Sequence, residues 1–192
     1  MTSRTSQQVL GQFVAALGAK VPTPGGGAAA AVGASLGAAA AQMSANYTMR
    51  KKDKESGAAA KAEQLVAILD VEKLLNVADD DAKAYADLQR TWKDTDMSTE
   101  EKTEIEQRAL AVPVTLMETC HEYIKSIKEF LPSCNPNITS DAKVGIHHLA
   151  GAARAAYQTA LVNSPCESEK TRLRQLLAEI RDIEDELLDA ES

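Results

Sequence analysis

Apolar residues recur at three- and four-residue spacing along most of the chain. Nowhere do they alternate singly through a run rich in β-branched residues. The first pattern marks amphipathic helices and the second would mark strands, so a succession of helices and no sheet is predicted. Val9, Leu10, Phe13 and Leu17 form one stripe of a helix expected over 6–17, with Thr5 and Gln8 as its capping box and Gly18 as its stop. Pro22 and Pro24 hold the next stretch out of helix. An alanine-rich helix is expected over 26–49, ended by the basic run 50–54. In it Gly33 and Gly37 share a face that lets another helix approach closely. Ser56 is expected to cap a third helix over 56–89, and 93–99 reads as a loop. Ser98 and Glu101 form a capping box for a helix over 99–130, which Pro113 should bend or split. After a loop over 131–139, Ser140 is expected to cap a helix to 162, closed by Pro165. The last helix, 168–188, repeats Leu173, Leu176, Ile180, Ile183 and Leu187 on one face. Six helices with short connections predict an all-α fold, an antiparallel bundle forming a single domain over 1–192.

Composition narrows the function. The chain has 192 residues, 21 basic against 28 acidic, and a net charge of −7, with 4% aromatics. Such a chain lacks the positive surface and stacking platforms that nucleic acids require. Its three cysteines form no CxxC pair, which argues against a thiolate zinc site or a disulfide framework and fits a reducing compartment. Residues 1–10 hold no apolar core of a secretory signal. Residues 21–49 carry no charge, but Pro22, Pro24, Ser35, Gln42, Ser44 and Asn46 interrupt them. A buried helix is expected there rather than a membrane span, in a cytoplasmic protein.

Three places carry candidate chemistry. Val21-Pro-Thr-Pro-Gly-Gly-Gly27 precedes the alanine-rich helix. It is either an interhelical turn or a seat for a ligand at free backbone N–H groups and a positive helix end. It matches neither dinucleotide nor phosphate-loop glycine patterns. Leu74, Ala78, Asp81, Tyr85 and Leu88 share one helix face. Asp81 thus lies within an apolar stripe, where desolvation would raise its pKa and fit it for acid–base work. The alternative is an edge carboxylate, wet or paired with Lys83. Ser140 and Asp141 open a helix in ordinary capping fashion, and His148 lies on the same face as Asp141. His147 and His148 are adjacent and His121 is remote, a poor metal-ligand spacing, so no metal is expected. Arg50, Lys51 and Lys52 are either a solvated loop or a seat for a polyanionic tail.

The run from Leu10 to Gly27, the Ala/Gly helix with Met43 and Thr48, and Asp79-Asp-Asp-Ala-Lys-Ala-Tyr85 follow one another in a familiar order. So do Ser98-Thr-Glu-Glu-Lys102, Ala111-Val-Pro-Val-Thr-Leu-Met-Glu-Thr119, Ser140-Asp141, and Ala156-Tyr157 through Asn163. Together they resemble the formiminotetrahydrofolate cyclodeaminase family, which also includes methenyltetrahydrofolate cyclohydrolases. Neither His147 nor His148 matches a position of that family. The resemblance implies an all-helical homodimer of one-carbon metabolism and histidine degradation that binds a reduced folate, with one glutamate or a polyglutamate tail. It implies closure of 5-formiminotetrahydrofolate to 5,10-methenyltetrahydrofolate with release of ammonia, without metal or other cofactor. A cyclohydrolase using the same site is the alternative. A non-catalytic folate-binding or scaffold protein is the alternative of another class. Asp81 would be the acid–base group, and Asp141 would share the proton work or read the pterin edge. Gly25, Gly26 and Gly27 would offer backbone donors. Thr23, Thr48, Asp79, Ser140 and Asn163 would add polar contacts, and Arg50, Lys51 and Lys52 would meet the glutamate tail.

Overall fold

A computed structural model describes residues 9–189. Eight α-helices follow one another among them: α1 (Leu10–Leu17), α2 (Gly26–Asn46), α3 (Lys51–Glu55), α4 (Ala58–Ile68), α5 (Val71–Lys93), α6 (Thr99–Phe130), α7 (Thr139–Val162) and α8 (Glu167–Asp189). No strand occurs in the described residues. The all-α expectation holds.

The alanines explain the centre of the bundle. Ala28, Ala31, Ala34, Ala38, Ala41 and Ala45 of α2 are fully buried. A helix surface of methyl groups lets neighbours come close without voids. α7 lies antiparallel along α2: Gly26 faces Thr159, Gly33 faces Ala152, and Gly37 crosses Gly145. A Cβ on either crossing glycine would sit 2.8 Å from the other's carbonyl oxygen. α5 runs along another side of α2. The Gln42 amide donates to the Leu69 carbonyl just before α5, and Asp81 within α5 reaches Gly27. α2 is long and apolar enough to cross a membrane by length and composition, yet it is enclosed by other helices over much of its surface.

Several boundaries differ from the sequence reading. α1 starts at Leu10, with Val9 extended before it; Thr5 and Gln8 lie outside the described residues. The helix expected over 26–49 stops at Asn46, and the basic run makes α3 instead of merely ending α2. Asp53, buried, accepts bonds from the Arg50 backbone N–H and guanidinium at 2.7–2.9 Å, which closes that short turn. The helix expected over 56–89 is two helices. Gly57, at φ +80°, precedes α4 in the left-handed region that suits glycine. Asp70 then caps α5 by accepting the Lys73 N–H at 2.8 Å, while its own N–H donates to the Tyr123 hydroxyl. Ser140 is not a cap: α7 begins one residue earlier at Thr139, whose hydroxyl donates to the Asn135 carbonyl.

Pro113 does not split α6, which runs unbroken from Thr99 to Phe130. A proline has no N–H for the carbonyl four residues earlier, here Ala109. The Asn163 side-chain amide supplies that donor at 3.2 Å from beyond the end of α7. Asn163→Ala is therefore expected to cost about 1–3 kcal/mol by orphaning the carbonyl. The loss should shrink in a Pro113→Ala background, where a backbone N–H is restored. Thermal unfolding of the two single variants and the double variant measures this coupling.

Candidate active site

Asp81 meets the N-terminus of α2. Gly25, extended at φ −121°, is the N-cap, so the N–H groups of the first turn have no partner within their own helix. The Asp81 carboxylate accepts one of them, from Ala28. It also lies flat against Gly27: a Cβ there would be 2.0 Å from Oδ1 and 2.4 Å from Cγ. Only glycine leaves room for this contact. By contrast, a Cβ on Gly25 would meet nothing within 4 Å, and one on Gly26 would reach only Thr159 Oγ1, at 4.0 Å. The three glycines are therefore not equivalent. Gly27 seats the carboxylate, while Gly25 and Gly26 leave an open approach.

Asp81 is half-buried rather than in bulk water. Burial pushes its carboxyl above the ordinary carboxylate range, and the Ala28 N–H partly offsets that by favouring the charged form. No ion pair to Lys83 holds it among the described residues. Its neighbours Ala78 and Leu74 are buried, as the stripe predicted. Asp79 and Thr23 are half-buried.

The residues singled out in the sequence divide into two groups at opposite ends of the α2–α7 pair. Thr23, Gly25, Gly26, Gly27, Asp81 and Asn163 lie at one end, since Thr159 abuts Gly26. Thr48, Arg50, Lys51, Lys52, Ser140 and Asp141 lie at the other, since the Thr48 hydroxyl accepts the Asn135 N–H at 3.0 Å, just before α7. Eighteen residues of α7 separate Asp141 from Thr159, about 27 Å along the axis. Asp81 and Asp141 do not meet within one chain.

The second group is largely occupied with its own structure. Thr48 is fully buried, donating to the Ser44 carbonyl at 2.8 Å. The Arg50 guanidinium is engaged by Asp53 at 2.7 Å. Lys51 is exposed, 3.9 Å from Glu55, and Lys52 is exposed. The Ser140 hydroxyl donates to Asp141 Oδ2 at 3.3 Å. His148 lines a cavity of about 390 Å³ between α2 and α7 with His147, Gly33 and Gly151; Asp141 does not border it. His147 Nδ1 is 2.9 Å from Glu184 of α8, which also receives Arg154. Burial raises the Glu184 carboxyl, but these hydrogen bonds outweigh it and hold the group below its usual range.

A family model described as formiminotransferase-cyclodeaminase matches residues 9–182. A methenyltetrahydrofolate cyclohydrolase of Methylorubrum extorquens is 27% identical over 179 residues, covering 89% of this chain and 86% of the relative. A formimidoyltransferase-cyclodeaminase of Gallus gallus is 29% identical over 173 residues; 80% of this chain matches 30% of that longer protein. The crystal structure of formiminotetrahydrofolate cyclodeaminase from Thermotoga maritima is 22% identical, with a TM-score of 0.81 over 93% of each chain, and has the same helical fold. With its buried Pro113 helix, its glycine-fronted α2 and a model match over most of its length, the chain belongs to the formiminotransferase-cyclodeaminase family.

Proposed function

We propose that the protein is a formiminotetrahydrofolate cyclodeaminase that works in the cytoplasm, with Asp81 as its proton shuttle. Family membership supports folate-related cyclodeaminase or cyclohydrolase chemistry. The observation that carries the assignment of the shuttle is the half-buried Asp81 carboxyl against Gly27, with its pKa raised by burial. In the reaction, folate N10 attacks the carbon of the protonated formimino group (=NH2+) and gives up its proton to the carboxylate. The C–N bond to the former imino nitrogen then breaks, and that nitrogen leaves as ammonia with an added proton. The carbon keeps its oxidation state. One carboxyl that accepts the first proton and returns the second serves both steps, and binding holds N10 near the carbon. Asp141, at the far end of the chain's own α2, reaches such a site only from a second copy.

A homodimer supplies one. On α2 and its C-cap, Ala29, Gly33, Leu36, Ala40, Met43 and Tyr47 repeat at alternating four- and three-residue spacing on the outer face. Leu36, Met43 and Tyr47 are exposed. On α7, Val144, His148, Gly151 and Ala155 repeat likewise beside them. Such seams interdigitate with a partner helix pair. A two-fold axis crossing the helices would lay one copy's Asp81 end beside the other copy's Asp141 end.

The second reading, a methenyltetrahydrofolate cyclohydrolase, is favoured by the match along nearly the whole length of the bacterial relative. Water would add to the same carbon and open the ring. Methenyltetrahydrofolate absorbs in the near ultraviolet, so one assay separates the readings. Its appearance from 5-formiminotetrahydrofolate is the expected result. Decay of added methenyltetrahydrofolate faster than the spontaneous rate, with no ring closure, would establish the cyclohydrolase. No change in either direction leaves a non-catalytic folate binder.

A further inference from the structure

We propose that Tyr85 and Trp92 form the seat for the aminobenzoyl ring of the reduced folate; this rests on the folate reading above. The two rings make an edge-to-face pair on α5, with centroids 6.3 Å apart and planes at 80°. Both lie on the Asp81 face, since 81, 85, 88 and 92 follow at four-, three- and four-residue spacing. Leu74 and Ala78, earlier on that face, are buried, whereas Trp92 is 68% exposed.

The topology explains the change along the helix. α5 is antiparallel to α2 and draws level with its first turn at Asp81. The twelve residues 82–93 therefore run on past the end of α2, about 18 Å of helix. α6 supports that extension, with Arg90 within 3.9 Å of Glu101, but α2 does not reach it. An exposed tryptophan braced by a tyrosine is a preorganised aromatic surface, ready to stack at small entropic cost. It starts one helical turn from the raised-pKa carboxyl and runs away from it.

A reduced folate has matching form. Its pteridine carries N5, which bears the formimino group; N10, the attacking nitrogen, links the pteridine to the benzoyl ring, and the glutamate extends beyond. With N10 beside Asp81 and the pteridine over Gly25 and Gly26, the next ring of the ligand falls toward Tyr85 and Trp92. Periodicity predicts a stripe from Leu74 to Leu88, and Trp92 continues it by one more step.

Trp92 is the chain's one tryptophan, so its emission reports this seat directly. Titration of the full chain with 5-formyltetrahydrofolate, a stable reduced folate, is expected to change Trp92 emission with the same midpoint as calorimetric binding. Trp92→Ala is expected to raise KM about 10- to 100-fold, in the range of aromatic stacking, with kcat changed less than threefold. Trp92→Phe should recover most of that loss. Calorimetric binding with unmoved emission, and an unchanged KM in Trp92→Ala, would overturn the seat while leaving the folate reading in place. Trp92→Ala that dissociates a dimer in sedimentation without altering KM would likewise overturn it, assigning the face to a second copy. Absence of calorimetric binding by any reduced folate would overturn both.

Discussion

Asp81→Asn is expected to lower turnover by about 10²–10⁴-fold, the range contributed by a positioned acid or base, while the helical fold persists. Asparagine keeps the shape and retains an oxygen to accept the Ala28 N–H, but it cannot exchange a proton at neutral pH. The stability consequence has a definite sign. Burial raises the Asp81 pKa in the folded chain. A raised carboxyl contributes its stability at low pH, below its unfolded value, and loses it as pH rises through the folded pKa. At pH 7 the ionised Asp81 is thus a mild burden on the fold, and the neutral variant is expected to melt at the same temperature or higher. The rate carries the same signature. If the ionised form starts the reaction, kcat/KM should rise with pH along an acid limb centred above the ordinary aspartate value of about 3.9. That limb should be missing from whatever activity the variant retains. Near-normal turnover in a folded Asp81→Asn chain would remove Asp81 from the proton shuttle and move the search to Asp141.

The helices and their buried faces were legible because each signal is local. The stripe of α8 needs only its own residues, and Leu173, Leu176, Ile180 and Ile183 are buried as expected. Asp81 was legible for the same reason: its place in a stripe is set by counting along one helix. The break before α5 was harder to see, because 56–89 is helix-compatible throughout and Asp70 ends α4 partly through Tyr123, fifty-three residues away. The intact α6 was illegible, since the donor that replaces the missing proline N–H comes from Asn163. The same tertiary logic displaced the expected cap at Ser140, where Thr139 bonds back to Asn135 first. The separation of the candidate residues follows from topology alone. Glycines at 25–27 and the acid at 141 each begin a helix, and two antiparallel helices begin at opposite ends. Sequence order placed them in one motif set; geometry sets them about 27 Å apart within one chain.

Gly27→Ala tests the corner without touching the carboxyl itself, and is expected to cost about 100-fold in kcat/KM, the penalty of a displacement near 1 Å. The added methyl would overlap Asp81 Oδ1, Cγ and Oδ2, at 2.0, 2.4 and 2.8 Å. What must yield is the free end of a side chain, not backbone, so the overlap is relieved by swinging Asp81 away from Ala28. Folding then changes little. The lost hydrogen bond, worth about 1 kcal/mol, is set against the helix propensity gained by alanine, of similar size. The displaced carboxyl, wetter and without its burial, should also titrate nearer the ordinary aspartate range, moving the acid limb of the rate profile to lower pH. Gly25→Ala is the matched comparison, because its methyl enters open space; it should fold normally and leave that acid limb where it was. A Gly27→Ala chain that is well folded and turns over at the normal rate would mean that the seat of the carboxylate does not matter to the chemistry. Asp81 would then be a cap on α2 and nothing more.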